Sequence, residues 1–179
     1  MQKAVLQVRE DHYQAIIAHL LPDDSENEEA AFGFAQSIQR GSDIALTLID
    51  WHAVDSRGFE HQSGYHLELA DEMRPFLIKR AHDLECSLVE FHSHPGPWPA
   101  QFSESDFIGL SEFVPHVWWR LKKRPYAAVV VAPSGFDGLV WLKAADAAEP
   151  LMGIEVNGSV LQPTGLSWRA LQRRRAWTV

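Results

Sequence analysis

The chain has 179 residues, 46% of them hydrophobic and 22% charged, which suits one soluble domain with a real core. Its formal net charge of −8 argues against a duplex nucleic acid as partner, because such binders present a basic face. No apolar run approaches the ~20 residues of a membrane helix, and "MQKAVLQVRE" lacks the apolar core and small-residue cleavage site of a secretory leader. The single cysteine, Cys86, excludes an internal disulfide, and the expected location is the reducing cytoplasm.

Taken in chain order, "AVLQV" reads as a first strand. "EDHYQAIIAHLL" then places Ile16, Ile17, Leu20 and Leu21 on one helical face. "PDDSENEE" is an acidic loop. "AAFGFAQSIQ" and "DIALTLIDWHAV" are β-rich and joined by "RGSD", which predicts a hairpin. "DSRGFEHQSGYH" reads as a loop or an edge strand. "ELADEMRPFLIKRAHDL" carries Met73, Phe76, Leu77, Ala81 and Leu84 at helical spacing, with Pro75 in its first turn or at a kink. "CSLVEFHSHP" is a buried strand ending in two histidines. A second helix is expected from Ser103 to a stop near Pro115.

"YAAVVVAP" and "GLVWL" follow as strands joined at "SGFDG", and "LMGIEVNGSVLQP" reads as one more hairpin around Asn157-Gly158. "WRALQRRRAW" carries Arg169, Arg173, Arg174 and Arg175 with no acid. It reads as a solvated helix end, with a docking patch for an acidic partner as the sharper alternative. Helices alternate with strands that also pair locally, so the expected class is α+β or α/β, with helices packed on a central mixed sheet.

The chemistry is concentrated in "VEFHSHPGPWPAQFSESDF". Strand residues i and i+2 share a face, so His92 and His94 project side by side, with Cα atoms about 7 Å apart. Asp106 falls in the first turn of the next helix, where the dipole and free N–H groups favour a carboxylate. The intervening loop is stiffened by prolines and can return Asp106 to the histidines at low entropic cost. Two imidazoles and one carboxylate leave a fourth tetrahedral position open, the pattern of a catalytic zinc. Each part has a plainer reading. Ser103-x-x-Asp106 is also a helix cap with Ser103 as N-cap. His-x-His is weak by itself in a chain of nine histidines; His12, His19, His52, His61, His66, His82 and His116 read as surface or satisfied core residues. The whole window is more specific than any part.

That window resembles the signature of the JAMM (MPN+) metalloproteases: an upstream Glu, His-Ser/Thr-His-Pro, a short loop and Ser-x-x-Asp. "IKRAHDL" leading into "SLVEFHSHP" and the later "YAAVVVAP" also suit that family, over roughly residues 2–142, the tail 143–179 being less covered. The loop is one residue longer than the family pattern, within residues 97–102, while Ser103 and Asp106 keep their spacing. The resemblance implies a single domain over residues 1–179 with a cytidine-deaminase-like MPN fold. It implies Zn²⁺ on His92, His94 and Asp106. It also implies an upstream general base, for which "SENEEAAFGFA" offers Glu26, Glu28 and Glu29; Glu28 fits the family spacing best and Glu29 next.

Ser103 is expected to donate a hydrogen bond to the developing oxyanion. The implied activity is hydrolysis after the C-terminal Gly of a ubiquitin-like protein, as deconjugation or precursor processing, with a role in bacterial antiviral defence for standalone members. The ubiquitin-like protein or its conjugate is then the partner, its tail lying along a strand edge such as "DSRGFEHQSGYH". Trp98, Phe102, Trp118 and Trp119 are candidates for a binding surface or for core. The alternatives are processing of a sulfur-carrier protein in cysteine or cofactor synthesis, a non-catalytic MPN scaffold, a two-His-one-carboxylate Fe(II) oxygenase, and a DNA-repair relative, which the negative charge opposes. Cys86 has no part in this chemistry.

Overall fold

The computed structural model describes residues 2–177, and side chains only up to residue 174, so Arg175 of the basic run lies outside the described side chains. Ten strands and four helices follow in the order β1 (Ala4–Gln7), α1 (Glu10–Leu20), β2 (Ala30–Arg40), β3 (Asp43–Ala53), β4 (Phe59–Gln62), β5 (Leu67–Leu69), α2 (Met73–Asp83), β6 (Ser87–Ser93), α3 (Glu104–Arg120), β7 (Tyr126–Ala132), β8 (Gly135–Trp141), β9 (Ala148–Val156), β10 (Ser159–Leu161) and α4 (Leu166–Trp177). Eight strands form one mixed sheet in the order β1-β3-β2-β6-β7-β8-β9-β10, and β4 and β5 form a separate ribbon. β1 runs parallel to both β3 and β9. The pairings therefore close into a ring, which removes two sheet edges that would otherwise be open.

Period-2 alternation divides the sheet into two apolar faces. One carries Phe32, Phe34, Leu88, Tyr126, Ala128 and Val130 under α2 and α3. The other carries Ala31, Val89, Phe91, Val129 and Leu151 against Ile16 and Leu20 of α1. On β6 the even positions face α2 and α3, so Glu90 and His92 stand on that face while Val89 and Phe91 face α1. No helix among the described residues is long and apolar enough to cross a membrane.

Several expectations change against this architecture. α3 does not stop at Pro115 but runs through it to Arg120. The proline removes one backbone bond, but Val114, Val117 and Trp118 on the same helix are buried, and their packing carries the helix past it. Pro75 lies in the first turn of α2, where its missing N–H costs nothing. The β7–β8 turn is Pro133-Ser134 alone, because Gly135, Phe136 and Asp137 already pair within β8. The β9–β10 turn does fall at Asn157-Gly158, with φ of 50° and 76°, the left-handed pair of a tight hairpin. In residues 55–66 a short helical turn precedes β4, a strand of the two-stranded ribbon, so the edge-strand reading of this segment holds at Phe59–Gln62.

The C-terminal segment is built into the domain. Asp137, buried on β8, accepts hydrogen bonds from the N–H groups of Gly165 at 3.0 Å and Ser167 at 2.7 Å. Ser167 Oγ accepts from Phe102 N at 3.0 Å, and the Thr164 hydroxyl donates to Ala100 O at 2.7 Å. Arg174 is exposed, as expected of a solvated helix end, and on that surface it pairs with Glu104 of α3 and lies 4.5 Å over the Phe107 ring. Its stem can cover apolar surface while its head meets the carboxylate.

Candidate metal centre

His92 ends β6 and His94 follows it; β6 is held centrally between β2 and β7, with His92 opposite Ala30 and Val130. Asp106 comes from the first turn of α3. There Ser103 is the N-cap, its Oγ accepting from Asp106 N at 3.1 Å, and Asp106 Oδ2 accepts from Ser103 N at 2.7 Å. The cap and the site are thus one structure: the reciprocal box that starts α3 also fixes the carboxylate.

Asp106 Oδ2 lies 3.4 Å from His92 Nε2 and 3.3 Å from His94 Nε2. Ligands about 2.0–2.1 Å from a tetrahedral ion stand about 3.3 Å from each other, so both measured edges match. One ligand atom from each of the three residues lies within 4.8 Å of the others, and the group can hold a metal ion. His92 supports the fit independently: both ring nitrogens are buried and neither has a hydrogen-bond partner among the described residues, which is costly for polar atoms unless something else binds them.

Glu28 reaches the same place from the segment just ahead of β2. Two positions before Ala30, it shares the face that meets His92, and its Oε1 lies 3.7 Å from His94 Nε2. Its neighbours are tightly held. Glu28 N donates to Ser63 O at 2.7 Å, and Gln62 Nε2 donates to Glu28 O at 2.9 Å. Glu29 N donates to Ser93 Oγ at 2.9 Å, and Ser93 N returns a bond to Glu29 O at 2.9 Å. Ser93, fully buried between the two histidines, was not singled out from the sequence. The signal was present, because the residue between two strand residues of one face must point to the other. Glu28 lines the cleft beside the ligands. Neither Glu29 nor Glu26 is among the residues of the cleft; burial pushes the Glu29 carboxyl up, and His19 and Gln62 act against that.

The charges follow this crowding. Burial pushes the Glu28 carboxyl up, and the nearby histidines offset only part of that. Burial alone would push Asp106 up, but His92, His94 and the Ser103 N–H outweigh it and hold the carboxyl well below the usual range. Burial alone would lower His92, but Asp106, Glu90 and Glu28 outweigh it and push the imidazole up to about 9.

The cleft holds about 290 Å³. Its floor is Ala30, Phe32, Glu90 and His92, one wall is α3 from Ile108 to Phe113, and the other is Tyr65 to Leu69. The strand facing the cleft is therefore β5, just beyond the segment expected to offer an edge, and among the described residues it pairs only with β4. His66, read from sequence as a surface or satisfied core residue, is exposed and lines the rim of the cleft. Of the four aromatic candidates, Phe102 and Trp118 are core, while Trp98 and Trp119 are exposed at 77% and 74%. Trp98 borders a second hollow on the His94 side, with Tyr65 and Phe107. No model of a known protein family matches this chain, and no curated protein matches it in sequence.

Proposed function

We propose that the protein is a zinc-dependent peptidase or isopeptidase of the JAMM type. It hydrolyses the amide that follows the C-terminal Gly of a ubiquitin-like protein. The observation that carries this reading is the pair of 3.3 and 3.4 Å edges joining Asp106 to the two imidazoles, with the Glu28 carboxylate one step further out on the same face. Bound at His92, His94 and Asp106, Zn²⁺ would supply a Lewis acid that polarises a carbonyl and acidifies water.

The remaining steps belong to the chain. Glu28, its carboxyl raised by burial, is suited to take a proton from the attacking water and return it to the leaving amine. Ser103 Oγ accepts from Asp106 N, which leaves its own hydrogen free to donate to the oxyanion that forms. An extended tail adding to β5 would gain backbone hydrogen bonds and bring its last residues to the ligands. A free, buried Cys86 is compatible with the cytoplasmic setting such substrates occupy.

The test is incubation of the full chain with fusions of ubiquitin-like and sulfur-carrier proteins that end in Gly-Gly, with and without a zinc chelator. Cleavage after the terminal Gly, stopped by the chelator, is expected. Glu28→Gln should retain zinc and lose roughly 10²–10⁴ in rate. Equal cleavage by the chelated protein, or by E28Q, would end this reading. Which fusion is cut separates deconjugation from sulfur-carrier processing.

A further inference from the structure

A histidine that ligates through one nitrogen must dispose of the hydrogen on the other. His92 turns Nε2 toward Asp106, at 3.4 Å, so Nδ1 is the nitrogen left to carry a hydrogen. Nδ1 is buried without a hydrogen-bond partner among the described residues, and Glu90 Oε1 lies 3.7 Å from it. That is about 0.5–1 Å beyond an N–H···O bond. The other carboxylate oxygen of Glu90 accepts from the Tyr126 hydroxyl at 2.5 Å. Tyr126 is itself fully buried on β7, the strand that pairs with β6.

Glu90 is an acid in the middle of β6, set among the apolar Leu88, Val89 and Phe91. A carboxylate there is expensive unless it is hydrogen-bonded or paired. Tyr126 satisfies one oxygen, and the other is turned toward the unpartnered side of the His92 ring.

We infer that Glu90 is a positioning residue of the metal centre. It accepts the Nδ1–H of His92, fixes the tautomer that presents Nε2 to the ion, and is itself held in place by Tyr126. The inference rests on the metal-binding reading above and goes beyond it, since it concerns how the ligand is oriented rather than which residues ligate.

The experiment compares the full-length wild type with Glu90→Leu, Glu90→Gln and Tyr126→Phe. Zinc affinity is read by competition with a chromogenic chelator at neutral pH, and the fold of each metal-free variant by near-UV circular dichroism. The ring hydrogens are read by ¹⁵N-histidine NMR of the zinc-loaded protein. E90L should bind zinc roughly 10–100-fold more weakly and lose the slowly exchanging Nδ1–H signal. E90Q keeps an acceptor oxygen and should recover most of the affinity and the signal. Y126F should weaken binding by roughly 10-fold and speed exchange of that hydrogen.

A wild type that binds no zinc defeats the metal reading itself. A wild type that binds zinc with E90L its equal overturns the role of Glu90 alone, as would an E90Q no better than E90L. Should E90L fail to fold, a folded Y126F with wild-type affinity and exchange overturns the inference in its place.

Discussion

Asp106 closes the cap of α3 and also stands where it could hold an ion, and separating the two gives the sharpest test of the site. Its Oδ2 accepts from Ser103 N at 2.7 Å to close the cap of α3, and the same atom stands 3.3–3.4 Å from two imidazole nitrogens. Ser103→Ala removes the side-chain half of the cap, and with it the proposed oxyanion donor, but no group that could hold the ion. It should cost about 1 kcal/mol, or roughly 2–4 °C in Tm for a chain of this size, with zinc binding retained. Asp106→Asn removes the anionic ligand but keeps an amide oxygen that can still accept from Ser103 N. With free zinc at about 100 times Kd, the wild type should gain about 2.7 kcal/mol and so roughly 5–10 °C. D106N, once its affinity has dropped by a hundredfold or more, should gain less than about 0.4 kcal/mol, a shift near the noise. The assay is thermal unfolding followed by circular dichroism, with and without zinc, on the wild type and both variants. An undiminished zinc-induced shift in D106N, or none in the wild type, would refute the assignment. A zinc-induced shift lost in S103A would show that the cap and the ligand cannot be separated.

Other outcomes follow from the same coordinates. Because His92 sits at about 9 without metal, it is charged at pH 7.5, and zinc binding should release about one proton from it. Calorimetry in buffers of different ionisation enthalpy reads that proton, and a buffer-independent heat would contradict it. Cys86 is buried and its thiol is pushed up by burial, so it should stay protonated and resist an aromatic disulfide reagent until the protein is unfolded in guanidinium; rapid reaction of the native protein would contradict this. Asp137→Ala strips the acceptor from three backbone N–H groups, those of Gly138, Gly165 and Ser167. It should cost about 3 kcal/mol and speed proteolysis in the 95–102 loop, and unchanged stability would mean that α4 is not anchored there. Pro115→Ala should stabilise α3 by about 1 kcal/mol or more, checked by urea unfolding; a loss would mean that the proline ring packs where the helix needs it.

How much of this could be read in advance depended on distance along the chain. The three candidate ligands were legible because their geometry is local. His92 and His94 share a face by strand period, and Ser103 and Asp106 are a cap whatever else they do. The hairpins at residues 40–43 and 157–158 were legible for the same reason, their turns being dictated by the residues in them. What stayed hidden depends on partners elsewhere in the sequence. The closure of the sheet rests on β1 finding both β3 and β9, and nothing in "AVLQV" announces two neighbours. Pro115 was read as a stop because a proline is a local argument, whereas Val114 and Val117 act through burial that only the fold supplies. Glu28 could be ranked above Glu29 by resemblance alone; the reason lies in Ser93, whose hydroxyl holds the Glu29 amide and turns its neighbour toward the cleft. Arg174 reads as surface charge and is one; its partner there, Glu104, is far from it in sequence and could not be read.

The tie between Phe102 and Ser167 has a consequence for the newly made chain. The three residues that could hold an ion fall in one short window, and Glu28 precedes them, so all four side chains exist once residue 106 has been added. The bond that ties down the loop between them spans 65 positions, and its serine is made much later. The window can therefore become rigid only after the C-terminal helix has begun.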